Sequence, residues 1–224
     1  MVSDLLADLR PILDGQVERT ADDLLLTPAM STWTRIGRSP PVGRGIIHQD
    51  GPWTWWSDAE RAATWIVDGV CCAADRLHGH VLDAARGMAG AHPGGRVLCV
   101  GSEVVALALD GLGSEVLSAS AWRDDAPTAW ADLVVVVAPG SGDAGWASYT
   151  RERSSALQAV QRDVLAKAVA AVHPGGAVVY ATMSVVPAET QAIAHTVPGW
   201  RLRGESLVWP DGLSRGGYVA VLVR

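Results

Sequence analysis

The sequence predicts an α/β chain with an open, mostly parallel sheet, an antiparallel C-terminal edge and a helical region in front. Three observations predict it. Between Ser155 and Val172, the residues Leu157, Val160, Val164, Leu165, Ala168 and Val172 recur at the spacing of one helix face. Pro174-Gly175-Gly176 stops that helix, since proline cannot continue it and glycine takes the exit angles. Ala177 to Thr182 then runs apolar without polar alternation, as a strand buried on both faces does. Helix, glycine turn and buried strand make half of a βαβ unit.

The totals suit one such domain with a helical appendage. The chain has 224 residues and a mass of 23.5 kDa, is 49% hydrophobic and has a mean hydropathy of +0.17, ample for a core. We divide it into residues 1–90, helical with a Trp-rich loop, and 91–224, the α/β domain. No uncharged apolar run reaches the roughly 18 residues that a membrane span needs. The first residues carry early acids in a helical pattern, not that of a signal peptide, so a cytoplasmic protein is expected. A net charge of −6 and a pI near 5.4 argue against a nucleic-acid partner, which needs clustered cations. Cys71, Cys72 and Cys99 show no CxxC spacing, and the adjacent pair reads as core filling within a helix. His78 and His80 are two apart and face different sides of a helix, so no metal site is expected.

In chain order, Ser3 can cap a helix to Leu13 with Leu5, Leu6, Leu9 and Leu13 as its stripe, and a second helix from Gln16 to Leu26 completes a hairpin. Thr27 to Gly51 reads as a loop, with Ser39-Pro40-Pro41 in it. His48 and Asp50 fall there and are weak catalytic candidates. Trp53, Trp55 and Trp56 follow, as an aromatic lid over a ligand site, a homodimer patch, or a plug between hairpin and sheet. Ser57-Asp58-Ala59-Glu60 is a capping box that opens a long helix to about Met88. Arg96 to Glu103 is a strand and turn, followed by a helix from Val104 to Leu112 and a strand from Gly113 to Ser120. Ala131 to Val137 is the next buried strand. A helix from Pro187 to His195 and strands at Trp200 to Trp209 and Gly217 to Val223 close the chain, the last two as an antiparallel hairpin.

One run is more specific than the pattern. Gln161, Val164-Leu165, Pro174-Gly175-Gly176, Tyr180-Ala181-Thr182-Met183-Ser184 and Pro187-Ala188-Glu189-Thr190 resemble a segment of the Sun-type RNA 5-methylcytosine methyltransferases. Those enzymes have a class I fold for S-adenosylmethionine (SAM), Rossmann-like in its sheet. Ala138-Pro139-Gly140-Ser141-Gly142 resembles their Ala-Pro-Cys-Ser-Gly, and Gly217 to Leu222 their last strand, so the resemblance covers about residues 93–224. It implies a reduced class I sheet, because only a short loop separates Ser120 from Ala131 where that fold places a further helix and strand.

The resemblance also implies what has changed. The family has two cysteines, one to attack the pyrimidine ring and one to release it, because cytosine is activated by thiolate addition. Their positions hold Gly140 and Met183, and the family's aspartate before Ala-Pro is Val137. In the SAM turn, Asp/Glu-x-Gly-x-Gly, Gly101 remains, but Cys99 stands at the acid and Glu103 at the next glycine. Ser118 or Ser120 stands where an acid is expected on the ribose. The pocket residues to compare are therefore Cys99, Gly101, Ser102, Glu103, Ser120, Pro139, Gly140, Ser141 and Met183, with Cys99 and Glu103 as weak catalytic candidates beside His48 and Asp50. This degenerate cradle predicts no cofactor and no SAM binding. Two readings stay open, ahead of a third, an active RNA methyltransferase. In one, a non-catalytic relative binds a protein partner or small ligand; in the other, the pocket serves a different reaction on a small apolar molecule, as in bacterial secondary metabolism.

Overall fold

A computed structural model describes residues 2–10, 30–34, 41–42, 44, 46–50, 53–56, 71–89, 94–110, 115–119, 128–211 and 214–224. Its main sheet is built of β5 (Arg96–Val100), β6 (Glu115–Ala119), β7 (Ala131–Ala138), β8 (Val172–Thr182), β9 (Arg201–Val208) and β10 (Gly217–Val223). The order across it is β6-β5-β7-β8-β10-β9. β6, β5, β7 and β8 run parallel, and β10 joins β8 and β9 antiparallel. The expected sheet is thus present, with β6 at its edge among the described strands.

Side-chain alternation explains why two helical layers are needed. Val97, Cys99, Leu133, Val135, Val179 and Val219 point to one face, and Leu98, Val100, Val134, Val136, Tyr180 and Ala220 to the other. Each face is apolar, so each must be covered. The first is covered by α2 (Arg76–Ala89) and α3 (Glu103–Asp110), through Leu77, Val81, Ala85, Val105 and Leu109. The second is covered by α4 (Arg151–Ala171) through Leu165, Ala168 and Ala171, and by the short α5 (Gln191–Ala194) through Ile193 and Ala194.

Several boundaries move for local reasons. α4 begins at Arg151, before the expected Ser155, because Thr150 accepts the Arg153 N–H at 3.2 Å as its cap. It ends at Ala171, ahead of Pro174, and β8 takes in the Pro-Gly-Gly run with Gly175 at φ +92°. The helix expected from Pro187 to His195 is a 3-10 turn, Pro187–Glu189, then α5. Of the long helix read from Ser57 to about Met88, residues 57–70 lie outside the described residues and the described helix is α2. Asp75 caps it, taking the Leu77 N–H at 2.9 Å on Oδ1, and Cys71–Ala73 before it is strand β4 rather than helix. The capping box itself and the second helix of the hairpin lie outside the described residues.

The segment read as a loop holds strands. β1 (Met30–Thr34), β2 (Ile46–Asp50), β3 (Trp53–Trp56) and β4 form an antiparallel sheet in the order β2-β3-β1-β4. Threonine, isoleucine and tryptophan favour the pleated backbone, and proline and glycine nearby hid this.

The N-terminal helix α1 (Val2–Leu9) takes in Ser3, the expected cap, and ends at Leu9, with the expected end at Leu13 outside the described residues; it docks on the α/β body. Leu5 and Leu9 are buried against Trp146, Tyr149, Val185 and Val186. Trp146 is 4% exposed beneath α1 and donates to the Arg215 carbonyl at 2.9 Å. Asp8 accepts from Tyr149 Oη at 2.7 Å and from Arg151 Nη2 at 3.0 Å. Burial disfavours the ionised Asp8, but the bonds from Arg151 and Tyr149 outweigh it and hold the carboxyl below its ordinary value. A lowered carboxylate stabilises the fold above its unfolded pKa and stops doing so as pH falls through the folded one. Protection of the α1 amides, taken relative to an unstructured peptide at the same pH, should therefore fall below the ordinary carboxylate value of 3.8. In Asp8→Asn that protection should be low already and should change little across this range; equal, unchanged protection in both would exclude this anchor.

Candidate functional site at the sheet's switch point

Open parallel sheets bind ligands beyond the carboxyl ends of their strands, where the winding direction reverses. Here β5 is followed outward by β6 on one side and by β7 and β8 on the other, so the reversal falls at the end of β5. Gly101 occupies that point at φ +85°, a left-handed conformation suited to glycine. A Cβ there would collide with the Val137 carbonyl oxygen, so glycine lets the turn close on β7.

Two cavities meet at Gly101. The first, of about 520 Å³, is lined by Gly101, Ser102, Glu103, Leu107, Asp110 and Ser118 among others. Glu103 opens α3 and is solvent-exposed at the rim, so its bulk does not fill the turn. The second, of about 400 Å³, lies at the ends of β5, β7 and β8 and includes Gly101, Val137, Pro139 and Met183. Both fall within the size range of small-molecule sites.

The loop after β7 is held by Glu189 and Gln161, two residues of the run that carries the resemblance. The Glu189 carboxyl group is fully buried. It accepts from the Ser141 N–H at 2.9 Å, from the Ser141 hydroxyl and from the Ser154 hydroxyl at 2.6 Å. It thereby ties the Pro187–Glu189 turn, the 139–142 loop and α4 together. Gln161 Nε2 donates to the Pro139 carbonyl at 2.8 Å and to Thr182 Oγ1 at 3.2 Å, and its Oε1 is buried without a partner. Gly140 and Met183 are brought side by side. A Cβ on Gly140 would meet Thr182 Oγ1 and, at 2.7 Å, the Met183 carbonyl oxygen.

Cys99 is inside the sheet, 0% exposed, and its thiol lies 3.3 Å from the Ser102 carbonyl. Burial pushes its pKa up to about 12, so it offers no thiolate near neutral pH. An iodoacetamide label on native protein should therefore spare Cys99 and reach it only after denaturation; rapid native labelling would place it in an open site instead. His48 and Asp50 are not in a loop: they lie on β2, opposite Trp55 and Trp53 of β3. Ser120 lies outside the described residues.

Two further side chains line the second cavity, His78 and Asp143. Their signals were local. Asp75-x-x-His78 is a helix-start spacing, and Asp143 follows Gly140 by three residues, so that its Oδ2 accepts the Gly140 N–H at 2.7 Å. Among the described residues, no group of histidine, cysteine and acids could hold a metal ion.

The strand order, the glycine at the switch point and the antiparallel closing strands define a class I SAM-methyltransferase-like fold. No known family profile matches the chain. A mitochondrial tRNA (cytosine(34)-C(5))-methyltransferase of Danio rerio is 35% identical over an alignment of 96 residues, which covers 37% of this chain and 26% of that protein. Among solved structures, PH0851 superposes with a TM-score of 0.75 at 15% identity, over 99% of this chain and 66% of that one. A methyltransferase homologue from Pyrococcus horikoshii gives 0.67 at 13% identity over 98% of both chains. NSun6 from Pyrococcus horikoshii, solved with SFG, gives 0.52 at 14% identity, over 77% of this chain and 57% of that one.

Two expectations are corrected by these findings. The absence of a cofactor does not stand: the same fold holds SFG in NSun6, and here the turn at Gly101 is closed, with Glu103 at the rim of an open cavity. The exclusion of nucleic acid does not stand either, because the matching 96 residues belong to a tRNA-modifying enzyme. Net charge averages over the chain and does not report the surface beside one site. No described helix is long and apolar enough to cross a membrane.

Proposed function

We propose that the chain binds SAM or its demethylated product at the Gly101 turn, acts on or beside RNA or a small ring compound, and does not perform cysteine-dependent cytosine methylation. Gly101, Ser102 and Glu103 would hold the cofactor's amino-acid end, with Ser118 toward its ribose. The group supplies an electrophilic methyl when bound. The observation that carries the negative half is the contact between Gly140 and Met183. Glycine has no nucleophile, a thioether forms no thiolate, and the space at 140 is closed by Thr182 and the Met183 carbonyl.

Calorimetry with S-adenosylhomocysteine is expected to give micromolar binding, and labelled SAM with tRNA is expected to leave cytosine C5 unmodified. Absence of binding overturns the first half, and 5-methylcytosine in the product overturns the second. The variant Gly140→Cys/Met183→Cys should not gain the activity, since the loop must shift before a side chain fits at 140. Of the two open readings, binding alone and a different reaction, His78 and Asp143 in the second cavity favour the different reaction.

A further inference from the structure

We propose that the cavity at the ends of β5, β7 and β8 transfers a methyl group to a ring N–H or O–H, with His78 as the base that takes the acceptor's proton and Asp143 facing it. This rests on the cofactor reading above. A carbon acceptor needs a thiolate to activate the ring. A nitrogen or oxygen acceptor already has a lone pair and needs only to lose its proton, so the missing cysteines cost this reaction nothing.

The cavity suits that chemistry. Val100, Val137, Ala138, Val160, Val164 and Met183 make an apolar wall for a flat ring, and Gly101 joins it to the cofactor cavity. His78 is fixed at the start of α2. Its Nδ1 lies 3.1 Å from the Asp75 carbonyl and 3.0 Å from the Asp75 N–H. These contacts belong to different tautomers: a bare Nδ1 accepts the Asp75 N–H, whereas an Nδ1–H donates to the Asp75 carbonyl, and the step uses the second, which leaves Nε2 its lone pair for the acceptor's proton. Once Nε2 is protonated, the same bond remains. Burial lowers the imidazole pKa, so the ring is neutral at pH 7, while the Asp75 main-chain bond and the charges of Asp75 and Asp143 support the imidazolium that forms.

In the step, the acceptor's lone pair forms the bond to the methyl carbon as the carbon–sulfur bond breaks. The sulfur keeps that pair, leaving S-adenosylhomocysteine. The acceptor's proton passes to His78 Nε2 and then to solvent. The acceptor class is a planar ring with an ionisable N–H or O–H, and such a ring reaches the cavity either free or as a base of RNA.

The test uses methyl-labelled SAM with unfractionated tRNA, with a mixture of free nucleosides, and with catechol. Label on nitrogen or oxygen in one arm is expected, and the arm names the source. His78→Asn keeps a polar atom near the Nδ1 position for the cap and removes Nε2. It should lower turnover by about 10²–10⁴-fold and remove the low-pH limb of the rate profile. Affinity for S-adenosylhomocysteine and the melting temperature should be unchanged. If S-adenosylhomocysteine does not bind, the cofactor reading fails. If it binds but no arm takes label, or His78→Asn keeps its rate, this inference fails and the cofactor reading stands.

Discussion

Gly101→Ala is expected to abolish measurable binding of S-adenosylhomocysteine and to destabilise the fold. Two independent costs act at this residue. A side chain in the left-handed region costs about 1–2 kcal/mol. The new Cβ also collides with the Val137 carbonyl oxygen, which is backbone of β7 and cannot swing aside. The turn must then open, and opening it displaces Ser102 and Glu103, which line the first cavity, and Val137, which lines the second. Calorimetry and urea unfolding check the two consequences separately. A variant with native stability and native affinity would remove Gly101 from any account of the site. The neighbouring Gly94, at φ +72° with open space around it, is the control: Gly94→Ala carries the strain without the collision and should leave affinity intact.

Glu189→Ala is expected to lower stability by roughly 3–5 kcal/mol, a loss in melting temperature on the order of 10 °C. The carboxyl group is buried and takes three bonds, from the Ser141 N–H, the Ser141 hydroxyl and the Ser154 hydroxyl. Alanine leaves the N–H without a partner in a place water does not reach. Glu189→Gln keeps one acceptor oxygen and should lose much less. The same substitution frees the 139–142 loop, so amide exchange at Ser141 and Gly142 should rise more than exchange in β9 at the far edge. A thermal melt that matches the parent would show that the loop is held by Gln161 and Thr182 alone.

Much of the α/β body was legible in the chain. Val97, Leu98, Cys99 and Val100 could be read as a doubly buried strand because both faces are apolar, and β7, β8 and β10 announce themselves in the same way. The edge position of β6 followed from the short stretch between Ser120 and Ala131. The antiparallel sheet of β1 to β4 was hidden. Its strands are three to five residues long and lie among prolines and glycines, and their partners are far apart in sequence, as Thr32 and Ala73 are. Asp75 ended the reach of α2, since a helix-capping aspartate inside an apolar-periodic run looks like one more polar residue of that run.

The site divides in a similar way. Gly101, Pro139, Gly140 and Met183 could be placed because each sits in a recognisable run at a strand end. His78 and Asp143 could not, because they come from α2 and from the turn after β7, and nothing in their local sequence says that these elements face one cavity. Glu189 looked like part of a motif; its burial among Ser141, Ser154 and Tyr180 makes it the tie of the loop. The sequence alone determined the parallel sheet and its antiparallel close, and it puts glycine at 140 and methionine at 183, because residue type and period are local properties. Tertiary structure decided that the Gly101 turn is closed and bordered by cavities, that Cys99 is core, and that a histidine and an aspartate share a pocket. Those facts depend on which distant segments pack together, and burial is a property of the packed chain rather than of any one stretch.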